Sequence, residues 1–512
     1  MKKNRSLYLF GSLLLLAAIY SCRKDSSTLD VHKINGVVVD TTGKSKLGVY
    51  QFDTLKLQPG INLNGADEAS FTYEWKINME PDDTVYQVLS TEKYLAAEIR
   101  FRPNVTGKYH QLVYTVTDKQ NGLRYITPFQ ITVLNNIGEG LVIADSKDGI
   151  QSDINHLMMP WVTTDATKES LKYNVFSSIN GKKIDGIVKQ MRFYKIYGVD
   201  MVTGITSNSV FNIKTLDYTL AGENSSLFYI PRPVLKPQAL GGIYLGDIYI
   251  GEGKFTAANM GATPKYPAPY DNNFVIPTQV ALNPYNYSGI IIRVSFYDEV
   301  HGHFVYLSTV QSFGDNVMRK YPPVSGGAFD PSNVPGKQNL AAGLSMNKDF
   351  LHLLKDKATG KISLFVLDQG IDDYPDIIPP APKAQFDLSN APGIADAHHF
   401  VFADDQNVLY YTSGNKVYAV LYGTSTPSYQ ERYTLPAGEE VTVLQIYQQG
   451  NYPNVDATLN TNKKILIMAT YDGNQGKLLL LPMINPGLGN LDIANGKVYD
   501  GFGKISSVTA QK

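Results

Sequence analysis

Four short stretches of this 512-residue chain hold residue types that do chemistry. His301-Gly302-His303 follows Asp298-Glu299, and two imidazoles beside a carboxylate can ligate a metal. A glycine between two polar residues also marks a hairpin turn, and exposed turn histidines are the weightier reading. His398 and His399 are adjacent; on a strand they point to opposite faces and cannot chelate one ion. Tyr471-Asp472-Gly473-Asn474-Gln475-Gly476 spaces oxygen donors as a calcium loop does. It lacks the downstream Glu of such a loop and suits a tight turn equally well. Asp404-Asp405 opens a turn and reads as a solvated acidic corner. The chain contains no Gly-x-Ser-x-Gly, no His-Glu-x-x-His, no phosphate loop and no dinucleotide fingerprint. No catalytic residue, metal or cofactor is therefore expected.

Tyrosine is the side chain in excess, with 34 copies. Lys265-Tyr266-Pro267-Ala268-Pro269-Tyr270 and Asn283-Pro284-Tyr285-Asn286-Tyr287 crowd it into proline-broken segments that cannot be central strands. A tyrosine offers large contact area at low entropic cost, which suits a binding surface. Tyr266, Tyr270, Tyr285 and Tyr287 are accordingly expected to face a ligand or partner, packing against their own loops being the alternative.

The single cysteine, Cys22, stands just past an apolar run from Leu7 to Ile19 that follows the basic start Met1-Lys2-Lys3-Asn4-Arg5. Such an order fits a secretory signal peptide and is short for a membrane-spanning helix. Ile19-Tyr20-Ser21-Cys22 resembles a bacterial lipobox, with an aliphatic residue at minus three and a small one at minus one. The resemblance implies cleavage after residue 21 and acylation of Cys22. Two or more acyl chains give stable anchoring where one does not. Residues 1–21 then form the signal peptide and 22–30 a tether.

The elements that must position these residues are strands. Lys plus Arg is 46 and Asp plus Glu 47, a near-neutral balance that gives no basic stripe for nucleic acid. Forty-three glycines and 27 prolines punctuate the chain at short intervals, with Tyr, Thr, Val and Ile between them. The expected fold is all-β, in two domains, 31–136 and 137–512.

In the first, Phe71-Thr72-Tyr73-Glu74-Trp75-Lys76-Ile77 alternates strictly, placing Phe71, Tyr73, Trp75 and Ile77 on one face. Residues 112–117 and 129–133 behave alike, joined through the turn residues Asp118 to Gly122. About seven such segments around a buried tryptophan suggest an immunoglobulin-like β-sandwich without its disulfide. The stretches "YEWKI", "YHQLVYTVTDKQNGLRYITPFQITV" and "GEGLVIADSKDGIQSDI" resemble the PKD-like lipoproteins of Bacteroidetes. Trp75 is followed by Lys-Ile-Asn, so the likeness is to the divergent PKD-like group.

From Gly138 onward the pattern strand, polar turn, strand recurs. Its turn centres fall near Gly149, Asn208, Gly253, Gly302, Gly360, Asn415 and Gly476, at intervals of 45 to 61 residues. A period near 55 is long for a WD40 blade but close to a kelch-sized one, and seven hairpins suggest a seven-bladed β-propeller. The last strand, 503–508, has no following partner and is expected to pair near Leu141-Val142-Ile143, closing the ring.

The PKD-like resemblance implies a non-catalytic outer-membrane surface lipoprotein accompanying a SusC/SusD-type importer of oligopeptides or glycans. A TonB-dependent transporter and a SusD-like lipoprotein are then the expected partners. A propeller hydrolase or lyase, and a structural or adhesive module, are the alternatives.

Overall fold

The computed structural model describes residues 36–512 apart from 106, 197–198, 245, 259–263, 271–272, 286–290, 308–316 and 374–375. It divides into two units: residues up to 133 without 50–52, and 134–512 with 50–52.

The first unit is a β-sandwich. One layer is a five-stranded antiparallel sheet in the order Lys46–Tyr50, Arg124–Leu134, His110–Asp118, Phe71–Asn78, Tyr86–Ser90. Two short ladders, Val38–Asp40 with Gly60–Asn62 and Thr54–Leu57 with Leu95–Glu98, carry the rest of the core. The alternation at 71–77 holds: Phe71, Trp75 and Ile77 are buried while Thr72 is exposed. Trp75 lies opposite Tyr114 in the register, their rings stacked at 3.9 Å, and its indole N–H donates to the Glu92 carbonyl at 3.0 Å. That hydrogen bond removes the penalty of burying the one polar atom of this side chain.

In the second unit, among the described residues, seven antiparallel sheets of three or more strands follow one another along the chain, in addition to a two-stranded ladder of Ile371–Asp373 with Asp376–Ile378. Each contains one hairpin at a turn legible in the sequence. The pairs are Gly140–Ser146 with Gln151–Met158, Val199–Ile205 with Val210–Lys214, and Gly246–Gly251 with Lys254–Ala258. They continue with Val294–Asp298 and His303–Leu307, Phe350–Asp356 and Ile362–Leu367, Val408–Ser413 and Lys416–Leu421, and Ile465–Tyr471 and Gly476–Ile484.

Two of the turns share one mechanism. Asp298 and Asp356 each accept the amide of the glycine four residues on through their carbonyl (2.8 and 2.9 Å), and two amides between through Oδ1. Gly302 and Gly360 close these turns at φ 71 and 74, where a side chain would be strained.

The first strands of the seven sheets are Lys504–Gln511, Gln190–Ile196, Pro237–Ile243, Ala281–Leu282, Lys337–Leu344, Phe400–Ala403 and Glu440–Ile446. Each packs against the next in this order, and the last returns to the first, so they form a closed cycle. Closure is made by the C-terminus. Lys504–Gln511 pairs with Gly140–Ser146, with Val508 opposite Ile143 and Ala510 opposite Leu141, as the sequence predicts. Seven apolar clusters fill the spaces between consecutive sheets, for example Leu351, Leu353 and Leu364 of one sheet against Leu409, Tyr411 and Val420 of the next. Both faces of the middle strands are therefore buried, and Ile362–Leu367 is apolar or small throughout. The architecture is β-propeller-like.

Candidate functional site

First strands in neighbouring sheets of the ring share no ladder, so side chains satisfy part of their backbone. Ser507 Oγ and Thr509 Oγ1 accept from the amides of Met191 and Phe193 at 2.8 and 3.4 Å. Equal increments in both chains mean that these two strands run in the same direction. The Gln190 amide exchanges two hydrogen bonds with the backbone of Leu240, at 2.9 and 2.8 Å. The starts of several first strands thereby gather at one end of the ring axis.

At that end lies a cavity of ≈ 650 Å³ lined by residues from five separate stretches of chain. Ile187, Val188, Val441 and Ile505 give it an apolar floor, Val188 and Ile505 being fully buried. Lys189, Lys504, Glu440, His398 and His399 supply its polar rim. Lys504 and Glu440 neutralise one another at 2.6 Å, whereas Lys189 is exposed and makes no ion pair among the described residues. His399 Nε2 sits 2.9 Å from the carbonyl of Val441, an acceptor only, so that nitrogen carries the hydrogen. Burial pushes the imidazole pKa down, keeping the ring neutral with Nδ1 as an acceptor. Thr442 and Ser506 belong to the lining, but their hydroxyl oxygens are buried away from solvent and have no hydrogen-bond partner among the described residues.

Farther along the axis, Arg192, Gln190, Gln445, Gln448 and Thr509 line a smaller cavity of ≈ 160 Å³. Arg192 Nε contacts Asp247 Oδ1 at 3.0 Å, and its guanidinium lies over Gly242, where a Cβ would collide with it. Asp247 also holds Lys265, which donates to Thr203 Oγ1 at 2.8 Å and sits 3.4 Å from the centroid of the Tyr194 ring. Burial outweighs the attraction of Asp247 and draws the Lys265 pKa down to about 8.

The strand-end side carries a second polar cluster. Tyr285 binds both Asp404 and Lys463 through its hydroxyl; Lys463 meets Asp404 Oδ1 at 2.9 Å. Lys348 lies 4.2 Å and Lys463 4.6 Å from the centroid of the Tyr285 ring. Asp404 is thus an ion-pair partner within a shared network, which corrects its reading as a solvated corner.

Three of the four proposed binding tyrosines are described, and none of these is exposed. Tyr266 is completely buried against Phe228 and Tyr249, at 5.5 and 5.3 Å, which corrects the expectation that it faces a ligand. Tyr270 is half-buried against Phe255. Tyr285 is 6% exposed within its ionic cluster. The prolines around them break strands, as expected, but the segments fold inward over gaps between sheets. Tyr287 and Cys22 lie outside the described residues.

His301 and His303 do not converge on an ion. His301 Nδ1 bonds Asp298 Oδ2 at 2.8 Å, His303 Nδ1 faces the His301 carbonyl at 3.2 Å, and Asp298 is occupied with turn amides. Asp472 likewise accepts the amides of Asn474 and Gln475, at 2.9 and 2.7 Å. Among the described residues no three His, Cys, Asp or Glu side chains group as metal ligands, and no helix is long and apolar enough to cross a membrane.

Sequence reading missed the cavity. His398-His399 were set aside by the alternation rule, yet they precede the strand Phe400–Ala403, where that rule does not apply, and both line the cavity. The available signal was position: four of the five lining stretches begin or immediately precede a first strand, and the fifth, Ser146 and Gly149, is the hairpin turn beside one.

Residues 22–187 match the PKD-like family model, so a PKD-like domain is found there, extending past residue 136 into the second unit. No curated protein matches the chain. Among solved structures, the Myceliophteria thermophila Cps50 (Swd1) β-propeller domain is 10% identical, with a TM-score of 0.34, covering 60% of this chain and 86% of that one. PorZ of Porphyromonas gingivalis, a surface component of the type-IX secretion system, is 8% identical with a TM-score of 0.31, covering 76% of this chain and 50% of its own. The WD40 domain of fission-yeast SCAP is 8% identical with a TM-score of 0.24, covering 71% and 73%. Likenesses at these scores carry no functional argument.

Proposed function

We propose that this chain is a lipid-anchored outer-membrane surface protein that binds a ligand or partner without catalysis. Its second unit is a seven-bladed β-propeller, and it serves as an accessory component of a SusC/SusD-type uptake system for oligopeptides or glycans. The observation that carries the binding role is the cavity at the strand-start end of the ring, with its apolar floor and the exposed Lys189, which has no ion-pair partner among the described residues. A concave, largely apolar site with a few convergent polar groups on a rigid frame is what small-ligand capture requires. The lipobox at Ile19–Cys22 and the PKD-like domain at 22–187 support the surface setting. A membrane tether raises the effective concentration beside an importer, so weak contacts suffice.

Affinity purification from mild detergent is expected to co-isolate a TonB-dependent barrel and its SusD-like lipoprotein from wild-type cells. Cys22→Ala is expected to lose both fatty-acid labelling and that association. Isolation without either partner, together with turnover of a surface polymer, would replace the accessory role by an enzymatic one.

A further inference from the structure

The structure assigns one small carboxylate anion, of the size of acetate or propionate, to the smaller cavity on the ring axis, beside Arg192. Arg192 and Lys265 both pair with Asp247, and the Lys265 and Asp247 side chains are only 1% and 2% exposed. Among the described residues no other carboxylate forms an ion pair with either cation. The Lys265 pKa of about 8 leaves it mostly protonated at pH 7. Two cations against one carboxylate therefore leave one positive charge in excess, and a buried charge without a counter-charge is costly. The cluster meets solvent through Arg192, whose side chain is 24% exposed and which lines the cavity of ≈ 160 Å³. Its Nε is spent on Asp247. Nη1 and Nη2 have no hydrogen-bond partner among the described residues and are not sealed from solvent.

The remaining lining suits a carboxylate, whose two oxygens accept about four hydrogen bonds. The guanidinium supplies a planar pair of N–H donors, and the amides of Gln445 and Gln448 supply others. Both glutamines line the cavity, are part-exposed, and make no side-chain hydrogen bond among the described residues. Arg192 is the one charged residue in the lining, so no acidic side chain competes for it there. The space holds about five waters at liquid density, which admits a short acid and excludes a peptide or an oligosaccharide. A phosphate dianion carries twice the missing charge. Chloride matches that charge but not the planar fork of the guanidinium.

The experiment titrates the full chain, in mild detergent at pH 7 and fixed ionic strength, with ¹³C-labelled sodium acetate, reading the broadening of the carboxyl resonance. Saturable binding of one acetate per chain is expected, about 10-fold tighter than competing chloride or phosphate. Lys265→Met removes the excess charge from outside the cavity and is expected to weaken acetate about 10-fold. Gln448→Leu removes a donor from the wall and is expected to weaken it by a similar factor, about 10-fold. Unfolding midpoints show which variants fold, and Gln448→Leu carries the test if Lys265→Met does not. Absence of saturable binding by the wild-type protein overturns the inference. Preference for chloride or phosphate overturns the carboxylate assignment. Acetate binding that survives unchanged in the folded variants is an adventitious ion only, and overturns the site. None of these outcomes touches the accessory role, which co-isolation of the transport partners decides.

Discussion

His156 is fully buried, and neither of its ring nitrogens has a hydrogen-bond partner among the described residues. It packs edge-on to Tyr218 at 6.0 Å, beneath Gly140, whose missing Cβ leaves room for the imidazole. Burial holds its pKa down at about 3, and His352, bound to Ser295 Oγ at 2.9 Å, is held down equally. The unfolded chain protonates both near 6.5 while the folded chain keeps them neutral. Stability from these sites is therefore complete above about pH 6.5 and is lost progressively as pH falls toward 3. Between pH 7 and pH 5 each site is expected to cost about 2 kcal/mol. Replacing His156 by Phe removes no hydrogen bond, so His156→Phe should narrow the gap between unfolding midpoints measured at those two pH values. An unchanged gap would mean that His156 is protonated in the folded state.

At the scale of elements, the Lys265–Asp247–Arg192 cluster ties the second sheet of the ring to the third. Arg192 and Thr203 come from the strands Gln190–Ile196 and Val199–Ile205, Asp247 from Gly246–Gly251, and Lys265 from the segment that follows its sheet. One buried carboxylate serves two cations, so the two sides of the cluster are not equivalent. Asp247→Leu strands both cations in a buried site and is expected to destabilise by about 3–5 kcal/mol. Lys265→Met leaves Asp247 paired with Arg192 and is expected to cost clearly less. Denaturant midpoints of the two variants test the order; a costlier Lys265→Met would show that Arg192 does not neutralise Asp247.

For the second unit as a whole, stability depends on the last eight-residue strand. Lys504–Gln511 completes the first sheet, gives Ser507 and Thr509 to the neighbouring sheet, and donates Gln511 to the Ile137 carbonyl. The approach just before it is tight. Gly503 N–H bonds Asp145 Oδ2 at 2.6 Å, and a Cβ at Gly503 would meet the Ser146 carbonyl at 2.2 Å. A chain ending at Gly503 exposes the edge of Gly140–Ser146 and uncovers Ile143 and Leu141, an invitation to intermolecular pairing. Such a truncation is expected to associate in size-exclusion chromatography and to lose its cooperative thermal transition. A monomer with the wild-type midpoint would place closure elsewhere.

What the sequence by itself determined is local or pattern-borne. Turn chemistry acts within five residues, so the hairpins at Gly149, Gly302 and Gly360 were legible, as was the inward face carrying Trp75. The unpaired final strand could be matched to Leu141–Ile143 because a ring leaves one open edge. Tertiary structure alone decided the rest. The tyrosine-rich segments turned inward because gaps between sheets needed filling, and no local pattern distinguishes a Tyr266 that fills such a gap from one that faces water. The strand-start cavity draws Val188, His399, Val441 and Ile505 from four separate stretches of the chain. Their convergence is set by the packing of first strands about a common axis, and spacing along the chain carries no trace of it.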